Sequence, residues 1–315
     1  MKEDVLIEKP DIARPRHREP VIIFEHIPKT AGRTMHTILW RVFFGQKVFL
    51  TTIPGQHRER IEELNRQLED PDRRIRAIVS HAGFGLHELL PDTFDYRHFT
   101  FLRDPVDRVV SHYYYEIQQN HIDASVTLET FVREDLSRSC NVQTALLGGL
   151  ELKRSVEGLT LTRDLYTDAL LERAKANLRL HAAVGLTERF DESLLLLRHV
   201  FQWKWPRMLY VRKNVGHLRR TRPAMPESSL RLIRRYNELD LALYRYAQDL
   251  FEQQVAQHLP HRTRQLDTFR RLNAVYGKVF PWTYPVVRAA VHAARKLRKP
   301  GLARHRYQNH NDPGP

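Results

Sequence analysis

The chain has 315 residues, enough for one large domain with additions, and 42% of them are hydrophobic, enough to bury a core. A formal net charge of +14 is far from ordinary. It directs attention to anionic ligands, acidic polymers or negatively charged membrane surfaces without choosing among them. The single cysteine, Cys140, excludes an intrachain disulfide and reads as a small buried side chain.

Residues 1–20, MKEDVLIEKPDIARPRHREP, read as a charged, proline-punctuated extended leader without the apolar core of a signal peptide. No run reaches the roughly 18 apolar residues of a membrane span, so a cytoplasmic protein is the expectation. Val21–Phe24 is a short, wholly apolar run that predicts a strand buried on both faces. It leads into a polar turn, Lys29 to Thr34, and then a helical pattern through Met35, Ile38, Leu39 and Val42. Residues 57–69 predict an exposed helix. Residues 76–80 predict a second buried strand ending at His81, and 98–102 a third ending at Arg103. Asp104 is placed to cap the helix that follows, with Pro105 at its first position.

The middle of the chain reads as helical over 128–136 and 165–180. Short strands are expected at 183–186 and again at 208–211. Residues 226–251 predict an amphipathic helix interrupted near Asn237. From 261 to 311 the only acidic residue is Asp267 among many Lys and Arg. Strands alternating with helices imply an α/β fold with a mainly parallel sheet flanked by helices and a helical C-terminal part. The division expected is a leader over 1–20, one domain over 21–255, and a basic, partly helical extension over 256–315.

Three predicted strands each end in a reactive-looking segment, and ligands of open parallel sheets bind beyond the carboxyl ends of strands. Lys29, Thr30, Ala31, Gly32, Arg33 and Thr34 follow the first strand and open a helix, as a phosphate-binding turn would. The plain alternative is an ordinary strand-to-helix turn with an exposed lysine. The turn is not a Walker A loop, because the lysine precedes the glycine. His81 has the chemistry to take a proton from an alcohol, though a lone histidine among 17 is more often structural. Arg103 stands at a strand terminus. Arg108 and Ser111, three apart, share a helix face that suits forked phosphate binding or, equally, a surface Arg–Asp network.

These segments resemble one enzyme family. HIPKTAGRTMHTIL resembles the 5′-phosphosulfate loop of sulfotransferases that use 3′-phosphoadenosine 5′-phosphosulfate (PAPS), in the branch with the heparan sulfate 2-O- and 6-O-sulfotransferases. FLRDPVDRVVSHYYY is similar to that branch's 3′-phosphate motif, and SHAGFGLHELLP to the segment with its catalytic histidine. NVQTALLGG, VGLTERFDESLLLL and the helix with Asn237, Asp240, Tyr244, Ala247 and Phe251 also look like family segments. The resemblance spans roughly 20–255.

It implies a P-loop-like core in which Lys29 contacts the 5′-phosphosulfate and Thr30 through Thr34 cradle it. Arg103 and Ser111 bind the 3′-phosphate, and His81 is general base on an acceptor hydroxyl, with a glycan as leading acceptor. PAPS is the implied donor, PAP (3′-phosphoadenosine 5′-phosphate) the product, and no metal is expected. Two departures stand out. Arg33 replaces the family's usual small residue, leaving open whether it points away or contacts donor or acceptor. RKNVGHLRRTR at 212–222 only loosely resembles the loop that closes over the nucleotide, so a role for Arg219, Arg220 or Arg222 is open.

Two other function classes fit less of the sequence. A P-loop kinase or NTPase needs a Gly-Lys-Ser/Thr loop and a magnesium-holding carboxylate, and neither stands out. A non-enzymatic polyanion binder rests on the charge alone. No zinc spacing or RNA-binding aromatic signature supports a nucleic-acid partner. The basic C-terminal region, with Trp282, Tyr284, Val287 and Ala290 sharing much of a helical face, suggests peripheral contact with anionic membrane or a helix packed on the domain.

Overall fold

The computed structural model describes residues 19–44, 46–51, 57–70, 75–211 and 225–297. Five strands form one parallel sheet: β1 (Val21–Glu25), β2 (Lys47–Thr51), β3 (Ile75–Ser80), β4 (Tyr96–Leu102) and β5 (Ala183–Leu186). Their order is β2-β3-β1-β4-β5, so β1 lies between β3 and β4. Ile22 and Phe24 face one side of the sheet and Val21 and Ile23 the other, and all are buried. A strand covered on both faces is expected to be largely apolar, and Val21–Phe24 of β1 are, with the buried Glu25 closing the strand.

The larger core lies on one face of the sheet. It packs α1 (Gly32–Val42), α8 (Asp168–Arg179), α9 (Phe190–Phe201) and the long α12 (Glu238–His258) against Phe24, Phe99 and Phe101. Met35, Ile38, Leu39 and Val42 of α1 are buried there, as their spacing requires. The opposite face is covered by α2 (His57–Glu69) and the short turn Leu86–Leu89. Helix α3 (Pro105–Gln118) follows β4, then come α4 (Leu128–Glu134), α5 (Leu136–Ser139), α6 (Val142–Leu147) and α7 (Leu150–Glu157). Short α10 (Trp205–Met208), α11 (Glu227–Tyr236) and the 36-residue α13 (Arg262–Leu297) complete the described chain.

The α/β parallel architecture agrees with the sequence reading, and Asn237 divides α11 from α12 where the break was expected. Three details differ. The strand expected at 208–211 does not form. Pro206 opens the helical turn α10 instead, and the Tyr210 amide donates to the Asn273 side chain (2.7 Å) rather than to a sheet. Helix α2 is not wholly exposed: Ile61, Leu64 and Leu68 recur at helical spacing and are buried against β2 and β3. Edge strand β2, with only Val48 to Leu50 apolar among its five residues, was not expected from the sequence. The leader, apart from its last two residues, the segment 212–222 and the positions 298–315 lie outside the described residues.

Candidate active site

The strand order places the ends of β3, β1 and β4 side by side. The loops carrying His81, Lys29 and Arg103 therefore converge. The His26 amide donates to the Ser80 carbonyl (2.8 Å), fastening the first two together, and Arg103 Nη1 donates to the Lys29 carbonyl (3.2 Å), fastening the third.

The loop after β1 is wound tightly. Lys29 and Ala31 both have left-handed backbones, with φ of 73° and 67°. Non-glycine residues held there cost on the order of 1 kcal/mol or more each. Thr30 is buried and its hydroxyl donates to the Ile27 carbonyl (2.8 Å), so it holds the loop's own shape. Gly32 is required for a different reason. A Cβ there would sit 1.6 Å from Nε2 of His26, so the glycine makes room for that imidazole. Helix α1 starts at Gly32 behind Ala31 with no side-chain cap, and Thr34 and Met35 donate their amides to the Ala31 carbonyl (3.1 and 3.2 Å). A helix N-terminus of this kind leaves its first amides for an anion.

Lys29 Nζ lies 3.8 Å from the centroid of the Tyr115 ring, and the Arg33 guanidinium is 5.6 Å from the same ring. Arg33 thus turns toward Lys29 rather than away. Burial, aided by the cations of Arg33 and Arg103, lowers the Lys29 ammonium to about 8. Three cations held this close repel one another; Asp107 stands 3.8 Å from Arg103, and Glu116 offsets part of the effect at Lys29. A multiply charged anion would relieve that repulsion, so the residues present fit a nucleotide carrying phosphate groups.

Ser111 is half-buried on α3, one turn before Tyr115, and so belongs to the same side of the helix as the lysine's platform. Arg108 does not join it. Its side chain is fully buried and donates to the Arg138 carbonyl (2.9 Å), and burial lowers its guanidinium to about 10. Spacing alone had put Arg108 and Ser111 on one face. The turn of the helix instead sends Arg108, with His112 and Glu116 four and eight positions on, toward the interior.

His81 is half-buried, and its ring lies 4.2 Å from that of His26, which in turn contacts His36 at 5.4 Å. Burial keeps His26 well below the ordinary imidazole range, with His81, His36 and Lys29 adding to the effect. The Nδ1 of His26 has no hydrogen-bond partner among the described residues. Gly83, with φ 85°, lets the His81 loop pass against α6, where a Cβ would meet the Leu146 carbonyl at 2.5 Å.

A second layer braces the Arg103 turn. Gln143 of α6 accepts from the Arg103 amide (3.0 Å) and donates to its carbonyl (2.9 Å). Asp240 of α12 accepts from the Gln143 amide (3.1 Å) and from the amide and hydroxyl of Thr144 (2.7 Å each). Glu188, just beyond β5, accepts from the Asp104 amide (3.0 Å) and from Tyr244 (2.6 Å). Sequence reading noticed these segments but gave them no work. Tyr115 it missed as a site residue altogether, although its place four residues after Ser111 was the available signal.

Comparison with known proteins matches residues 16–145 to the sulfotransferase family. The chain is 27% identical over 266 residues to galactose-3-O-sulfotransferase 3 of Mus musculus, covering 77% of this chain and 58% of that protein. It is 33% identical over 129 residues to heparan-sulfate 6-O-sulfotransferase 1 of Homo sapiens, covering 40% of this chain and 30% of that protein. With heparan-sulfate 6-O-sulfotransferase 2 of Danio rerio the identity is 26% over 312 residues, covering 84% and 65%. The chain thus spans less than two thirds of each of these relatives. The matched segment, which is similar to the sulfotransferase family, carries β1, β3 and β4 together with the loops of Lys29, His81 and Arg103.

Proposed function

We propose that the protein transfers a sulfuryl group from PAPS to a hydroxyl of a carbohydrate acceptor. The observation that carries this reading is the strand order: β1 between β3 and β4 brings Lys29, His81 and Arg103 to one place. The names of the relatives, which act on heparan sulfate and galactose, support a sugar hydroxyl as acceptor.

When bound, PAPS supplies an activated sulfuryl group whose leaving partner is the nucleotide's 5′-phosphate. The uncapped start of α1 and the loop from Lys29 to Thr34 hold that phosphate. Lys29 keeps its ammonium where negative charge develops on the leaving side, and it needs no metal ion to do so. Arg103, tied to the Lys29 carbonyl and gripped by Gln143, holds the 3′-phosphate together with Ser111. His81 takes the proton from the acceptor hydroxyl. Most of the rate enhancement then comes from position and fixed charge, because in-line transfer asks little covalent work of the protein.

The test is transfer of radiolabelled sulfate from PAPS to a panel of galactosides and heparan-type oligosaccharides. Labelled product is expected, with PAP competing and ATP competing poorly. Competition by ATP as strong as by PAP, with no transfer to any sugar, would replace this reading with a P-loop kinase or NTPase.

A further inference from the structure

Helix α13 is 36 residues long, about 54 Å at 1.5 Å per residue. One side of it is fixed to the domain. Phe269 is buried in the main core, Asn273 accepts from the Tyr210 amide, and Arg41 Nη1 donates to the Tyr276 hydroxyl (2.6 Å). Beside this packed side runs a partly exposed apolar stripe. Leu272, Val275 and Val279 are 42%, 62% and 50% exposed. At the same spacing the sequence continues with Trp282, Val286, Ala290, Ala293 and Leu297. Beyond the stripe, Arg264, Arg271 and Lys278 recur every seven residues and are exposed. Arg262 and Arg270 are engaged by Glu192, Glu252 and Asp191 of the domain. Asp267 is the only acidic residue between 262 and 297.

We propose that this face of α13, the Leu272–Val275–Val279 stripe bordered by Arg264, Arg271 and Lys278, seats the protein on an anionic lipid bilayer. A helix lying in the membrane interface needs an apolar stripe for the acyl boundary and cations beside it for the headgroups. Here the two run side by side for about two turns, from Leu272 to Val279. Among the described residues no helix is long and apolar enough to cross a membrane, so α13 lies on the surface rather than through it. A second copy fits less well. In a two-fold contact each patch meets its own counterpart, and the row of cations would face cations. Trp40 and Phe44 are also exposed, on either side of the Arg41 that Tyr276 holds, and add apolar surface near the same helix.

The test is flotation of the full-length protein with vesicles of phosphatidylcholine alone or of phosphatidylcholine with phosphatidylglycerol. Recovery with the anionic vesicles only, falling as salt rises, is expected. Val275→Glu with Val279→Glu should abolish flotation while leaving the thermal melt unchanged. Arg271→Ala with Lys278→Ala should weaken partitioning by about fivefold per cation, about 30-fold for the pair. Three results would overturn the proposal. One is equal recovery with uncharged vesicles. Another is a surface sensitive to the cation pair but indifferent to Val275→Glu with Val279→Glu, which would mark a site for soluble polyanions. The third is a dimer in light scattering that the glutamate pair dissolves while wild type fails to float.

Discussion

At the scale of single residues, Lys29 and His81 stand on different loops and are expected to fail differently when altered. In the proposed reading Lys29 faces the donor, and burial with the neighbouring arginines lowers its ammonium to about 8. The protonated form is the useful one, so kcat/KM for the donor should fall as pH rises through that value in steady-state assays. Lys29→Ala should remove that limb along with most of the turnover. With His81 as the proposed base on the acceptor, His81→Ala should lose about 10²–10⁴-fold in turnover. Calorimetry should find its PAP affinity unchanged, and full turnover by His81→Ala would move the role of base to another group. Arg103→Ala should show the reverse, a marked loss of PAP affinity.

At the scale of elements, the candidate site depends on helices that carry none of its proposed ligand contacts. Helix α6 is short, and its first amides are satisfied by Asp240 from α12 rather than by a local cap. Through Gln143 that helix holds both backbone groups of Arg103. Gln143→Ala should therefore reduce PAP affinity about 5- to 20-fold, the loss of one or two net hydrogen bonds, with the fold kept. Asp240→Ala leaves buried amides unpaired and should cost about 3 kcal/mol in denaturant titration. Equal PAP affinity in Gln143→Ala and wild type would show that Arg103 does not need this brace. These contacts tie the segments near 141–149, 184–197 and 237–251 to the turn at Arg103 and Asp104.

At the scale of the whole molecule, stability is tied to pH by buried groups that hold the strand ends together. Glu25, the last residue of β1, is buried between His98 (2.8 Å) and His181 (2.6 Å). Burial alone would raise its carboxyl, but His181 and His98 outweigh that and bring it down to about 2. A carboxyl lowered on folding stabilises the protein above its unfolded value of 4.5, and that contribution is lost as pH falls toward 2. His36 is lowered by burial from 6.5 to about 4, so the unfolded chain takes up its proton first. Its contribution is present above 6.5 and lost as pH falls to about 4. Thermal melting should therefore decline in two stages on acidification, the first between 6.5 and about 4, the second below 4.5. Replacing His36 with Gln should lessen the first stage, to which the similarly lowered His26 also contributes, and leave the second unchanged.

Local chemistry was enough for part of this. An unbroken apolar run must be a strand covered on both faces, and an Asp-Pro pair before an amphipathic stretch must start a helix. So β1, β3, β4, α1 and α3 were legible, as were the three reactive loops at their ends. What sequence could not provide was the order of the strands, because pairing between Val21–Glu25 and both 75–80 and 96–102 is a non-local choice. That order alone turns three separate motifs into one site. Side-chain direction was equally out of reach: Arg108 and Ser111 are three apart, yet the packing of α3 buries one and leaves the other near Tyr115. Gly32 makes the same point. Its place in the turn was visible, but only the folded chain brings the His26 ring to where a Cβ would be, since that contact depends on how β1 enters the loop.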